Sequence, residues 1–219
     1  MVEIEAGKLA DWIDDTISTL NGISKACVDI EQATDLPDAF RTVLGKVTLV
    51  TDTLAKAEGH IRNFDQGEEA LRTIWKDVED CMEKALSLRT VFRLVVPRAD
   101  IARPERYRIA VNDLGKEGRV EILMKGVLED VYHLAGKCEI ENEAQTIKVI
   151  DEAQIQELVD AIEQMSKIPS SLPESRSGNS INNYGSGTLN ANSGRGTQNN
   201  NTGSGKQFIG EKQYFGRDG

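Results

Sequence analysis

The sequence is poor in most of the residues that carry chemistry or cross membranes. Aromatic side chains make up 5% of its 219 residues, histidine occurs twice and cysteine three times. His60 and His133 lie far apart, and Cys27, Cys81 and Cys138 are widely spaced and odd in number. Neither a disulfide framework nor a zinc site is expected from that pattern. No apolar run approaches the roughly 20 residues that a membrane-spanning helix needs. The first residues, MVEIEAGK, lack the basic and apolar regions of a secretory signal, so a cytoplasmic protein is expected. Positive charge is scarce as well: 26 Lys and Arg against 36 Asp and Glu leave a net charge of −10. A general nucleic-acid binder needs clustered cations to neutralise phosphates, and the balance argues against one.

What is present is unevenly distributed. Residues 176–219 hold 10 of the 19 glycines and 8 of the 12 asparagines, and no proline. Residues 1–175 carry 21 basic and 34 acidic side chains, a balance of −13, whereas the last 44 residues carry 5 and 2, a balance of +3. Between Ser177 and Gly205 the sole charge is Arg195. A segment of this composition buries too little apolar surface to offset its ordering entropy, so on its own it is expected to be disordered. The join, KIPSSLPES, combines two prolines with three serines and reads as a linker. The expected organisation is a helical body over 1–167, a linker over 168–175 and a tail over 176–219.

Within the body, apolar residues recur at three- and four-residue steps. Leu9, Trp12, Ile13, Ile17, Leu20, Ile23, Cys27 and Ile30 share one face of a helix of roughly 25 residues, with Asp11, Asp14, Asp15 and Asp29 turned mainly to water. Pro37 suits the first turn of a second helix with Phe40, Val43, Leu44, Val47, Val50 and Leu54 on its stripe. A third runs from Leu71 through Ile74, Val78, Cys81, Met82, Ala85, Leu88 and Phe92 to Val95, and Pro97 ends it. A short helix starts at Pro104, and a longer one follows the break at Gly115–Gly118, carrying Val120, Leu123, Leu128, Val131 and Leu134. The last, about Asp151 to Lys167, presents Ile155, Leu158, Val159, Ile162 and Met165, with Asp151 placed to suit the helix dipole. Few stretches alternate at period two. An all-α fold is expected, an antiparallel bundle of five or six helices, followed by an amyloid-competent disordered tail.

The body offers little chemistry. Carboxylate runs such as Glu79, Asp80 and Glu83 read as a solvated helix face, and nothing selects one acid pair for general acid–base work. Trp12 and Trp75 read as packing between helices. No enzyme, metal or cofactor is expected. In the tail, Gly205-Lys206 imitates the end of a phosphate-binding loop, but Asn200 stands where the leading glycine belongs and Gln207 replaces the magnesium-binding hydroxyl residue. Asn200-Asn201-Thr202 is a glycosylation sequon, which without secretion never meets its enzyme.

The tail does contain a repeat. Written in nines it reads GSGTLNANS (Gly185 to Ser193), GRGTQNNNT (Gly194 to Thr202) and GSGKQFIGE (Gly203 to Glu211). Gly187, Gly196 and Gly205 share the third position, which Gly178 extends backwards, and Asn183, Asn192 and Asn201 share the eighth. Calcium-binding nonapeptide solenoids need an Asp in each unit, and these units have none. A flexible spacer is the plainer reading. A cross-β rung accounts for more: G-x-G supplies the turn and the next residues a strand of roughly 15 Å. Stacked copies then place Asn over Asn, with little charge to oppose in-register stacking. On this reading assembly is carried by Asn183, Tyr184, Gly185, Gly187, Leu189, Asn192, Gly194, Gly196, Gln198, Asn201, Gly203, Gly205, Gln207, Phe208 and Ile209. Ile181, Tyr184, Leu189, Phe208, Ile209, Tyr214 and Phe215 would supply the dry interface. Three rungs leave both ends of a stack open, and a matching segment on another molecule would extend it.

VFRLVVP (Val91 to Pro97) and PERYRIAVNDLGKEGRVEILMKGVLEDVYHLAG (Pro104 to Gly136) resemble the fungal SesA-type domain, and DLPDAFRTVLGKVTLVTDTLAKA (Asp35 to Ala57) is similar to it as well. That helical domain stands at the N-terminus of fungal NACHT and other P-loop NTPase receptors of the NOD-like kind. The resemblance covers roughly residues 8–136. GTQNNNTGSGKQF (Gly196 to Phe208) resembles the sigma-type amyloid signalling motif associated with fungal death-pathway gene clusters. The resemblance implies that an oligomerised receptor templates the same motif on an effector, triggering heterokaryon incompatibility or programmed cell death. It implies as partners a NOD-like receptor or another protein with a matching motif, and self-association through the tail. No P-loop follows the helical domain here, so a stand-alone effector or adaptor is expected rather than the receptor. The first helix is amphipathic but acidic, which does not favour anionic lipid, and membrane association is expected only after activation. The alternative is a non-catalytic helical interaction module whose flexible tail does not assemble.

Overall fold

A computed structural model describes residues 5–26, 30, 33, 35–63, 68–97, 99–142 and 145–172. Six α-helices and one β-hairpin follow in the order α1 (Ala6–Ala26), α2 (Ala39–Arg62), α3 (Glu68–Val95), α4 (Arg103–Leu114), α5 (Val120–Lys137), β1 (Glu139–Asn142), β2 (Gln145–Lys148) and α6 (Glu152–Lys167). The packed unit that contains them ends at Pro173.

Helices α1, α2, α5 and α3 form a ring in which each packs on the next, α4 lies on α3, and α6 lies against α5 and α2. Each helix turns its apolar stripe into one continuous core. Phe40 is the hinge of that core: its ring lies 5.0 Å from Phe92 and 4.9 Å from Tyr107, edge-on to the latter. Aromatic pairs at such distances add about 0.5–1.5 kcal/mol beyond their burial. Trp12 of α1 and Trp75 of α3 pack with ring centroids 4.5 Å apart, closing the outer side of the α1–α3 seam.

Helix boundaries follow local chemistry. α1 is shorter than its stripe, and Ile30 is buried in the core beyond it, its carbonyl accepting from the Ala33 amide at 3.1 Å. Cys27 and Asp29 lie outside the described residues. Pro37 stands in the lead-in turn of α2 and not within the helix; its carbonyl accepts from the Phe40 amide at 3.1 Å. Pro104 occupies the first turn of α4, where a missing N–H costs nothing. Gly115 ends α4 at φ +83° and ψ −177°, a conformation that is essentially reserved for glycine. The 3₁₀ turn Lys116–Gly118 then redirects the chain into α5. At Gly118 an added Cβ would lie 2.5 Å from the Leu114 Cβ, so this turn excludes a side chain. Asp151 caps α6 by accepting from the Gln154 amide at 2.9 Å, which holds its carboxyl below the usual range.

The helices form the expected all-α bundle, to which a short hairpin is added, pairing Ile140 with Ile147 and Glu141 with Thr146 in antiparallel register. One expectation needs correction. Val159, placed on the apolar stripe of α6, is 38% exposed, because α6 is buried along a narrow seam that uses Leu158, Ala161 and Met165.

Candidate functional site

The exit from the bundle toward the tail is built from buried polar groups. Residues 168–175 read as a linker, but Ile168 and Leu172 pack against the core and Ser171 is held at three points. Its amide donates to one Glu121 carboxylate oxygen at 3.0 Å and its hydroxyl to the other at 2.5 Å. The Tyr107 hydroxyl lies 2.5 Å from the same Ser171 oxygen and accepts from the Val120 amide at 3.1 Å. Glu121 is 5% exposed. It sits in the first turn of α5, where the helix dipole favours a negative charge. Burial pushes the Tyr107 hydroxyl up to about 12, so it stays a neutral donor. α4, the start of α5 and the segment after α6 are thereby tied at one point.

These groups satisfy one another, which makes the junction a clip rather than a reactive centre. Elsewhere the polar contacts are also structural. Gln154 donates to the Thr53 hydroxyl at 2.7 Å across the buried α2–α6 seam. Lys84 pairs with Asp130 at 2.8 Å between α3 and α5, and there burial still raises the Asp130 carboxyl. Burial likewise raises the Cys81 thiol, and Cys138 to about 12; both are unsuited to act as thiolates. His60 is half-buried and its pKa is lowered by burial, while His133 is exposed beside Tyr132 at 5.9 Å. Among the described residues no group of three or more His, Cys, Asp or Glu is placed to hold a metal ion. Among them, too, no helix is long and apolar enough to cross a membrane.

The fifteen tail positions expected to carry assembly, from Asn183 to Ile209, lie outside the described residues. Two features of the body were not anticipated. The clip is invisible in sequence because Glu121 and Ser171 are 50 residues apart, and a glutamate in a first helical turn normally reads as solvated. The second left a readable signal: Arg89, Arg93, Arg98, Arg103, Arg106 and Arg108 fall within twenty residues that contain two acids, Asp100 and Glu105, in a body whose balance is −13.

Comparison with known families matches two parts of the chain. Residues 13–134 match the SesA family, described as the N-terminal domain on NACHT NTPases and P-loop NTPases. Residues 178–216 match the sigma domain on NACHT NTPases. No curated protein and no solved structure matches the chain.

Proposed function

Because the chain belongs to the SesA family of domains carried on NACHT and P-loop NTPases, we propose that it is a non-catalytic effector or adaptor in NACHT NTPase signalling, switched on by templated assembly of its tail. The observation that carries this reading is the nine-residue G-x-G repeat at Gly185, Gly194 and Gly203, which falls inside the span matched by the sigma domain. A receptor with a matching repeat offers an open edge, and the tail adds its own rungs to it. The bundle is the payload: assembly raises its local concentration in the cytoplasm and leads to incompatibility or programmed cell death. The clip at Ser171 supports this division of labour. It holds the chain at Ser171 and Leu172, and thirteen residues separate Leu172 from Gly185, a length of chain that lets tails stack without unfolding the body.

The test uses the full chain in two forms, native and with residues 176–211 shuffled at fixed composition. Seeded with a peptide of residues 176–219, the native form is expected to give thioflavin-positive fibres without a lag, and the shuffled form none. Equal behaviour of the two, with or without fibres, would make the tail a spacer and leave a helical interaction module. In fungal cells, death that requires both the body and the native tail order would extend the result to function.

A further inference from the structure

Away from the clip, the bundle carries two complementary surfaces. One is the corner where α3 ends and α4 begins. Here Arg106 donates to the Leu94 carbonyl at 2.8 Å and to the Pro97 carbonyl at 2.6 Å, and Arg103 donates to the Val96 carbonyl at 3.1 Å. These contacts satisfy carbonyls at the end of α3, and the two arginines are partly buried in making them. Arg103 also meets Asp35 at 3.0 Å and Arg108 meets Glu105. Arg93 is exposed and has no ion-pair partner among the described residues. Large apolar side chains are exposed on the same corner: Leu94 at 50%, Ile101 at 51% and Ile109 at 44%. Arginine beside exposed apolar residues is the composition of the core of a protein interface.

The second surface is a groove of about 650 Å³ between α2 and α6, lined in part by Leu49, Asp52, Ala55, Asp151, Ala153 and Glu157. Asp151 pairs with Lys56 at 3.3 Å, whereas Asp52 and Glu157 have no ion-pair partner among the described residues. Lys56 lines the groove too, so its three carboxylates leave a net negative excess beside small apolar residues, the counterpart of the corner. The corner lies on α3 and α4, the groove on α2 and α6, and α2 and α3 are not neighbours in the ring.

We propose that the corner of one copy docks in the α2–α6 groove of a second copy, giving a head-to-tail contact between bundles. This rests on the assembly reading in one respect: stacked tails repeat by translation along a fibre, so neighbouring bundles meet through two different faces and not through a twofold axis. The corner carries an excess of positive charge, with Arg93 outside any ion pair among the described residues, so two corners repel whereas a corner and the groove attract. The contact is charge-steered and weakens with salt as the screening length shortens.

The experiment uses sedimentation velocity on the full-length chain with residues 176–211 shuffled, so that its outcome is independent of fibre formation. In about 20 mM salt the chain is expected to form an open series of oligomers, weakened on the order of tenfold near 0.5 M salt. A corner variant, Arg93→Glu with Leu94→Ser and Arg108→Glu, and a groove variant, Asp52→Lys with Glu157→Lys, should each be monomeric. Mixed together they should form a one-to-one pair and nothing larger, because each retains the face the other lacks; the pair also shows that both are folded. A monomeric parent chain, or variants that do not pair on mixing, would overturn the contact. Flotation of the parent chain with phosphatidylserine vesicles that the corner variant loses, without self-association, would assign the corner to a membrane and overturn it equally.

Discussion

The body and the tail of this chain solve the problem of specificity in opposite ways. In the body every buried position has its own neighbour: Phe40 against Phe92 and Tyr107, Trp12 against Trp75, Glu121 against Ser171. In the tail the signal is a period, with Gly187, Gly196 and Gly205 at one offset and Asn183, Asn192 and Asn201 at another. Unlike contacts within one molecule specify a single packed state, whereas identical units are satisfied equally well by another copy. The body is therefore sensitive to which residue stands where in space, and on the proposed assembly reading the tail is sensitive to the order of its residues along the chain.

The strongest way to break that contrast is to damage one side alone. Phe40→Ala removes the ring at the centre of the aromatic cluster and is expected to cost about 3–5 kcal/mol of body stability. Urea denaturation followed by circular dichroism measures it, and seeded assembly of the tail should be unchanged; loss of both together would show that the regions are not separable. Gly115→Ala should cost about 1–3 kcal/mol in the same assay, because φ +83° with ψ −177° strains any side chain.

A finer probe is the clip itself. Ser171→Ala deletes the hydroxyl shared by Glu121 and Tyr107 and is expected to destabilise the body by about 1–2 kcal/mol. Hydrogen exchange should show the loss concentrated at residues 168–172, while an effect spread evenly over the helices would deny the clip a local role. The smallest effect is that of pH. Burial lowers the pKa of His60, so below about 6.5 the unfolded chain takes up a proton that the folded chain resists. Stability is thus expected to fall as pH drops from 7 toward 5.5, and a melting series should find His60→Gln less sensitive over that window.

The stripes of α1, α2, α3 and α5 were legible because a ring of helices buries one face of each, and a buried face imposes its period on the sequence. Leu9, Val43, Val78 and Val131 are all within the core. α6 was legible in extent but not in width: spacing alone includes Val159, and only the position of α6 on the flank leaves it in water. The hairpin was not legible, since Glu139–Asn142 and Gln145–Lys148 are each a single short strand. Nor was the role of KIPSSLPES, whose composition speaks of a linker while Ser171 and Leu172 are docked.

Periodicity and composition by themselves determined that this chain has a helical body and a repetitive tail of different charge. Those properties are local or summed along the chain, so they survive without knowledge of which segments meet. Only the tertiary structure decided that Glu121 is buried, that Tyr107 and Ser171 share its carboxylate, and that the arginine corner and the acidic groove lie on different helices of the ring. Each of those depends on residues distant in sequence, brought together because burying the apolar stripes leaves few ways to arrange the polar groups between them.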